Sequence, residues 1–193
     1  MTAMVMMKWI AEVSPRFKAR MAGAFFLLTM LTAAFTELFV RINGRLSFAA
    51  DVAAGAVEVS GMVAVTLLFY GIFKPVNRGL SLLAVSFNLV ALTFEAFQAY
   101  NIGLVFGGLY CLLIGYLIFN STFLPRILAA PMAIAGLGWL TFLSSSLADR
   151  LSPYNMAAGV LGEGLVMLWL LVTGVNVQRW KTQASTLGAS IRT

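Results

Sequence analysis

The chain has 193 residues, 61% of them hydrophobic and only 10% charged, where soluble domains average about 45–50% apolar and about 25% charged. That balance excludes a water-soluble fold of this size, and a single cysteine excludes a disulfide within the chain. The formal net charge of +6 comes from Lys and Arg beside the ends of apolar runs, where anionic headgroups attract them, so it speaks for a membrane surface and not for nucleic acid.

Residues Met1 to Val13 mix Met and Trp9 with Lys8 and Glu12, a weakly amphipathic stretch that suits either an interfacial helix or disorder. Ser14 and Pro15 read as an N-cap and first helical position. The first span follows as Met21 to Val40; it is too long for the apolar part of a cleavable leader and is expected to stay in the protein. Arg41 to Asp51 leads to the second span, Val52 to Phe73, closed by Lys74, Pro75, Asn77, Arg78 and Gly79. The third span is predicted over Leu80 to Gln98, with a turn at Tyr100, Asn101 and Gly103 into the fourth, Gly103 to Phe119. Asn120 to Arg126 connects to the fifth, Ile127 to Leu147, and Ser152 with Pro153 is read as the cap of the sixth, Tyr154 to Val175. Each run has roughly the length that crosses a hydrocarbon core of about 30 Å. Arg179, Trp180 and Lys181 form a basic and aromatic anchor, and residues 182–193 read as a disordered tail.

The expected fold is therefore all-α, a single bundle of six spanning helices over residues 1–181. Ten of the thirteen Lys and Arg fall on the side of the two termini, which puts both termini in the cytoplasm.

Four of the seven acidic residues, Glu37, Glu58, Glu95 and Glu163, lie inside predicted spans that contain no Lys, Arg or His. A carboxylate at the bilayer centre costs about 2.5–3.5 kcal/mol on insertion scales, so such groups face the protein interior or a wet cavity. Glu37 and Glu95 lie near the outer ends of spans one and three, Glu58 about 9 Å inside span two, and Glu163 about 14 Å inside span six. Ser81, Asn88 and Glu95 recur every seven residues, with Gln98 beyond them, so one stripe carries the strongly polar side chains of span three. Thr29, Thr32 and Thr36 form a comparable stripe on span one, bordered by Glu37.

These placements predict an outward-facing acidic pocket lined by Glu37, Glu58, Glu95 and Glu163 with Asn88 and Gln98. Like charges in such a pocket cannot all ionise, which suits proton exchange or the binding of a cation or amine. The competing reading lets some of these acids snorkel outward to Arg41, Arg45 or Arg150.

Gly103, Gly107, Cys111 and Gly115 repeat every four residues on span four, a small-residue ladder expected to pack against a neighbouring helix, with a dimer face as the alternative. Gly159, Gly162 and Gly164 flank Glu163 and are expected to bring backbone close to its carboxylate.

The absence of histidine removes Ser-His hydrolase, His-ligated zinc and His-ligated haem chemistry. Nothing in the chain calls for a cofactor or metal, and an enzyme is disfavoured. The expected partners are the lipid bilayer, a proton, cation or small ligand in the acidic pocket, and a second copy or another membrane protein. Three functional readings follow: binding or transport of a proton, cation or small amphiphile; a non-catalytic structural or accessory subunit; and, third, a lipid-modifying enzyme.

The segments KPVNRGLSLLAVSFNLV (Lys74 to Val90), GLYCLLIGYLIFNSTFLPRILA (Gly108 to Ala129) and LGEGLVMLWLLVTGVNVQRW (Leu161 to Trp180), with SPRFKARMAGAFFLLTMLTA near the start, resemble the bacterial membrane-protein family known as domain of unknown function 4386. The resemblance implies a bacterial cytoplasmic membrane location and carries no site residues.

Overall fold

A computed structural model describes residues 14–44, 47–97 and 99–190. The proposed interfacial segment at residues 1–13, Gln98 and Arg45 lie outside the described residues.

Helix α1 (Pro15–Asn43) opens where the sequence places it, with Ser14 Oγ accepting from the Phe17 N–H at 3.2 Å and Pro15 in the first turn. Ser47 caps α2 (Phe48–Phe73), and Asn77 Oδ1 accepts from the Leu80 N–H at 2.9 Å to cap α3 (Arg78–Ala96). Tyr100, expected in a turn, already begins α4 (Tyr100–Asn120). The fifth span runs Arg126–Leu143 and centres on α5 (Ala129–Leu140), with a 3-10 turn at each end. A short helix, α6 (Ser145–Leu151), takes residues expected in that span, and Ser152 does not cap α7 (Tyr154–Val172) by a side-chain hydrogen bond.

Six of these helices are long and apolar enough to cross a membrane. They pack in a closed circuit, α1 on α2, α2 on α3, α3 on α4, α4 on α5, α5 on α7 and α7 back on α1. Large apolar side chains such as Leu31, Phe35 and Leu38 of α1 cover the outside, as expected where the solvent is hydrocarbon and gives no reason to bury them.

Residues 182–190, expected as part of a disordered tail, instead belong to α8 (Val177–Ser190); residues 191–193 are outside the described set. Tertiary contacts override the polar composition here. Trp180 Nε1 donates to the Ile72 carbonyl at 2.8 Å, and Gln183 Oε1 accepts from both the N–H and the hydroxyl of Thr122. Between α7 and α8 the chain turns at Gly174, whose φ of 71° is the left-handed region that favours glycine. Its bare Cα also lets Arg16 lie against the turn.

The start of α1, the α2–α3 and α4–α5 connections and α8 therefore meet at one end of the bundle, where Arg20 also reaches the Val172 carbonyl at 3.1 Å. Among the described residues this end carries Arg16, Lys18, Arg20, Lys74, Arg78, Arg126, Arg179 and Lys181 and no carboxylate; it is called the basic end below. The half of the bundle beside it is solidly packed by Ile72, Phe73, Ile118, Phe123 and Leu170, all buried. The other half is hollow.

Candidate functional site

The hollow is a cavity of about 150 Å³ to which all six spanning helices contribute. Phe26 comes from α1, Met62 and Phe69 from α2, Asn88 and Glu95 from α3, Gly107, Tyr110 and Cys111 from α4, Met132 and Trp139 from α5, and Glu163 from α7.

Glu163 is the best-anchored polar group in it. Trp139 Nε1 donates to Glu163 Oε1 at 2.6 Å and Cys111 Sγ donates to the same oxygen at 3.2 Å. Both donors converge on Oε1, and among the described residues Oε2 accepts no hydrogen bond. Cys111, expected as a small packing residue, is thus also a hydrogen-bond donor to the carboxylate. It is buried, so its thiol works inside the bundle.

The glycines of α7 act on this arrangement differently from what their spacing suggests. A Cβ on Gly159 would overlap the Trp139 indole, and one on Gly162 would overlap the Pro131 carbonyl and sit 2.9 Å from Ala135 Cβ. Gly159 makes room for the ring that donates to Glu163, and Gly162 lets α5 and α7 approach closely. Gly164 faces open space.

On α3 the polar stripe points inward. Ser81 and Asn88 are buried, and Asn88 Nδ2 donates to Thr66 Oγ1, which in turn donates to the Met62 carbonyl at 2.7 Å. Glu95 lies partly buried near the end of the same stripe. Its carboxylate accepts no hydrogen bond and pairs with no cation among the described residues, and it is within electrostatic reach of Glu163 and Glu58. The cavity lining holds a second unsatisfied group, the Tyr110 hydroxyl of α4, buried with no hydrogen-bond partner among the described residues.

The predicted pocket residues therefore separate. Glu95, Glu163 and Asn88 line one cavity. Glu58 is partly buried on α2 and does not line it, although it is within electrostatic reach of Glu95 and Asp51. Glu37 is on the exposed face of α1, away from the cavity, and Gln98 is outside the described residues.

The small-residue ladder of α4 separates as well. Gly103 seats Glu95, since a Cβ there would lie 2.9 Å from Glu95 Cγ and 3.1 Å from the Ala91 carbonyl oxygen. Gly107 meets nothing within 4 Å and opens onto the cavity instead of packing. Gly115 packs on α5, with Ala129 O 3.3 Å from its Cβ position. The tightest approach between α4 and α5 is at Gly108, outside the ladder, where a Cβ would stand 2.8 Å from Gly136 O.

Trp139, Tyr110 and Thr66 were not legible as site residues. Trp139 is the one with a local signal, as an indole N–H deep in an apolar span needs an acceptor.

A family model described as Domain of unknown function (DUF4386) matches residues 93–174, a segment that holds Glu95, Cys111, Trp139 and Glu163. An uncharacterized protein of Archaeoglobus fulgidus is 28% identical over 127 residues, covering 58% of this chain and 76% of the relative. No solved structure matches the chain. Over residues 93–174, less than half of its length, the chain is similar to the domain of unknown function 4386.

Proposed function

We propose that the protein binds and carries a small cation, a proton or an organic ammonium, in the cavity between Glu95 and Glu163. The observation that carries this reading is the Glu95 carboxylate, unpaired among the described residues and lining the same cavity as Glu163. Removing a carboxylate from water without a partner is costly, and a bound cation or a proton offsets that cost. The aromatic walls Phe26, Phe69, Tyr110 and Trp139 add faces that attract an ammonium group. A volume of about 150 Å³ is also the size of an apolar cavity known to hold benzene. Among the described residues no three His, Cys, Asp or Glu side chains come together as a metal site, so a proton or an organic ammonium fits better than a metal ion.

The excess of Lys and Arg supports a cytoplasmic position for the basic end, and the family resemblance supports a bacterial cytoplasmic membrane. The hollow half then faces outward, and the packed layer of Phe73, Phe123, Ile118 and Leu170 separates the cavity from the cytoplasm. A carrier must part that layer to release its cargo.

The test is uptake of a small organic ammonium into proteoliposomes, with internal pH followed by a dye. Saturable uptake that disappears in Glu163→Gln and in Glu95→Gln supports the reading. A different observation favours a structural subunit, because two internal donors already tie Glu163 to α4 and α5. Absence of flux, together with a membrane partner that co-purifies stoichiometrically, would select that role.

A further inference from the structure

A second feature, at the basic end, is independent of the cavity. A groove of about 560 Å³ runs between α5 and α7, walled by Ile127, Pro131, Ile134, Leu165 and Val172. Through Trp169 and Thr173 it continues into a pocket of about 430 Å³ that contains Arg16 and Arg179. That pocket shares Thr122, Pro125, Asn176 and Arg179 with a further pocket of about 790 Å³ that adds Arg126. Three exposed arginines therefore stand at the foot of one apolar groove.

Among the described residues no carboxylate compensates their charge. Arg179 Nη1 reaches the Thr122 carbonyl at 3.4 Å, and Arg126 lies over the Phe119 ring at 5.7 Å. No carboxylate of the described residues lines any of the three spaces. The start of α8 adds positive character, because Asn176 caps this helix by accepting from the Arg179 N–H at 3.1 Å and the remaining free N–H groups of its first turn favour an anion.

An apolar channel that ends in guanidinium groups unpaired among the described residues has the polarity of an amphiphile with long chains and a negative head. A soluble anion would have no use for the channel, and a zwitterionic lipid would leave the charge unbalanced. We propose that the α5–α7 groove and the arginine pocket at its foot bind one anionic glycerophospholipid, with an acyl chain along Ile134 and Leu165 and the phosphate headgroup between Arg16, Arg126 and Arg179.

Native mass spectrometry of the full chain, titrated with phosphatidylglycerol and with phosphatidylcholine of identical chains, tests this. The wild type should retain one phosphatidylglycerol with a preference of at least about tenfold, and Arg16→Gln/Arg179→Gln should lose most of it, at about fivefold per arginine near a membrane surface. Arg150→Gln, at the opposite end of the bundle, should keep it. If the double variant does not fold, Arg126→Gln, an exposed position, should still weaken the preference. Equal retention of both lipids, a preference unchanged by all the groove variants, or an equal loss in Arg150→Gln would overturn the proposal. So would full competition by glycerol phosphate, which would reduce the site to one for a free anion.

Discussion

Trp139 Nε1 donates to Glu163 Oε1 at 2.6 Å, and the indole that does so occupies the space left by the missing side chain of Gly159. Gly159 and Glu163 are one turn apart on α7, so the same face of that helix supplies both the room for the ring and the acceptor for its N–H. The position of one carboxylate thus depends on a glycine that never touches it.

Gly159→Ala should therefore lower the melting temperature in detergent, by overpacking that costs about 1–3 kcal/mol. Gly164→Ala, which meets open space, should be neutral or stabilise by up to about 1 kcal/mol through helix propensity. Equal melting temperatures for the two variants would show that the indole does not sit on Gly159.

Trp139→Phe keeps an aromatic ring and removes the donor. Combined with Glu163→Gln in a double-mutant cycle, it should give a coupling of about 1–3 kcal/mol in unfolding free energy. Additive effects would mean that the hydrogen bond contributes nothing.

Adjacent residues of α4 should respond in opposite ways. Gly108→Val drives a side chain into the backbone of Gly136 and should destabilise by about 1–3 kcal/mol or prevent assembly of the bundle. Gly107→Val extends into the cavity and should fold while reducing the space for a ligand. Comparing expression and melting of the pair decides the matter, and a reversed order would contradict the placement of α4.

Because Cys111 is the sole cysteine, Cys111→Ala gives a background for single-cysteine labelling. A membrane-impermeant thiol reagent applied to intact cells should leave cysteines at Thr122 and Ser185 unlabelled and should modify one at Asp149. Labelling of Thr122 and Ser185 from outside would invert the orientation.

The spans were legible because length and apolarity are local properties, and the cap at Ser14 was legible because capping is a short-range hydrogen bond; Asn77, read only as part of the stop after span two, turns out to cap α3. Which acids share a cavity depends on how each helix is rotated within the bundle, and long-range packing sets that rotation. Glu95 shares its stripe with Ser81 and Asn88 and lines the cavity, whereas Glu37 only borders a stripe and is exposed. The ladder on α4 does not face one neighbour, for a geometric reason. At 3.6 residues per turn a four-residue repeat drifts by about 40° per step, so Gly103 meets α3, Gly107 the cavity and Gly115 α5. The tail failed because its order depends on Ile72 and Thr122, far away in sequence.

The central claim is that Glu95 and Glu163 hold a cation in one cavity, and calorimetric titration of the purified protein with tetramethylammonium measures it most directly. Saturable binding to the wild type should be lost in Glu95→Gln, in Glu163→Gln and in the cavity-filling Gly107→Leu, while Glu37→Gln binds as the wild type does. Absence of binding to the folded wild type, or binding that survives both cavity substitutions of glutamate, would contradict the account.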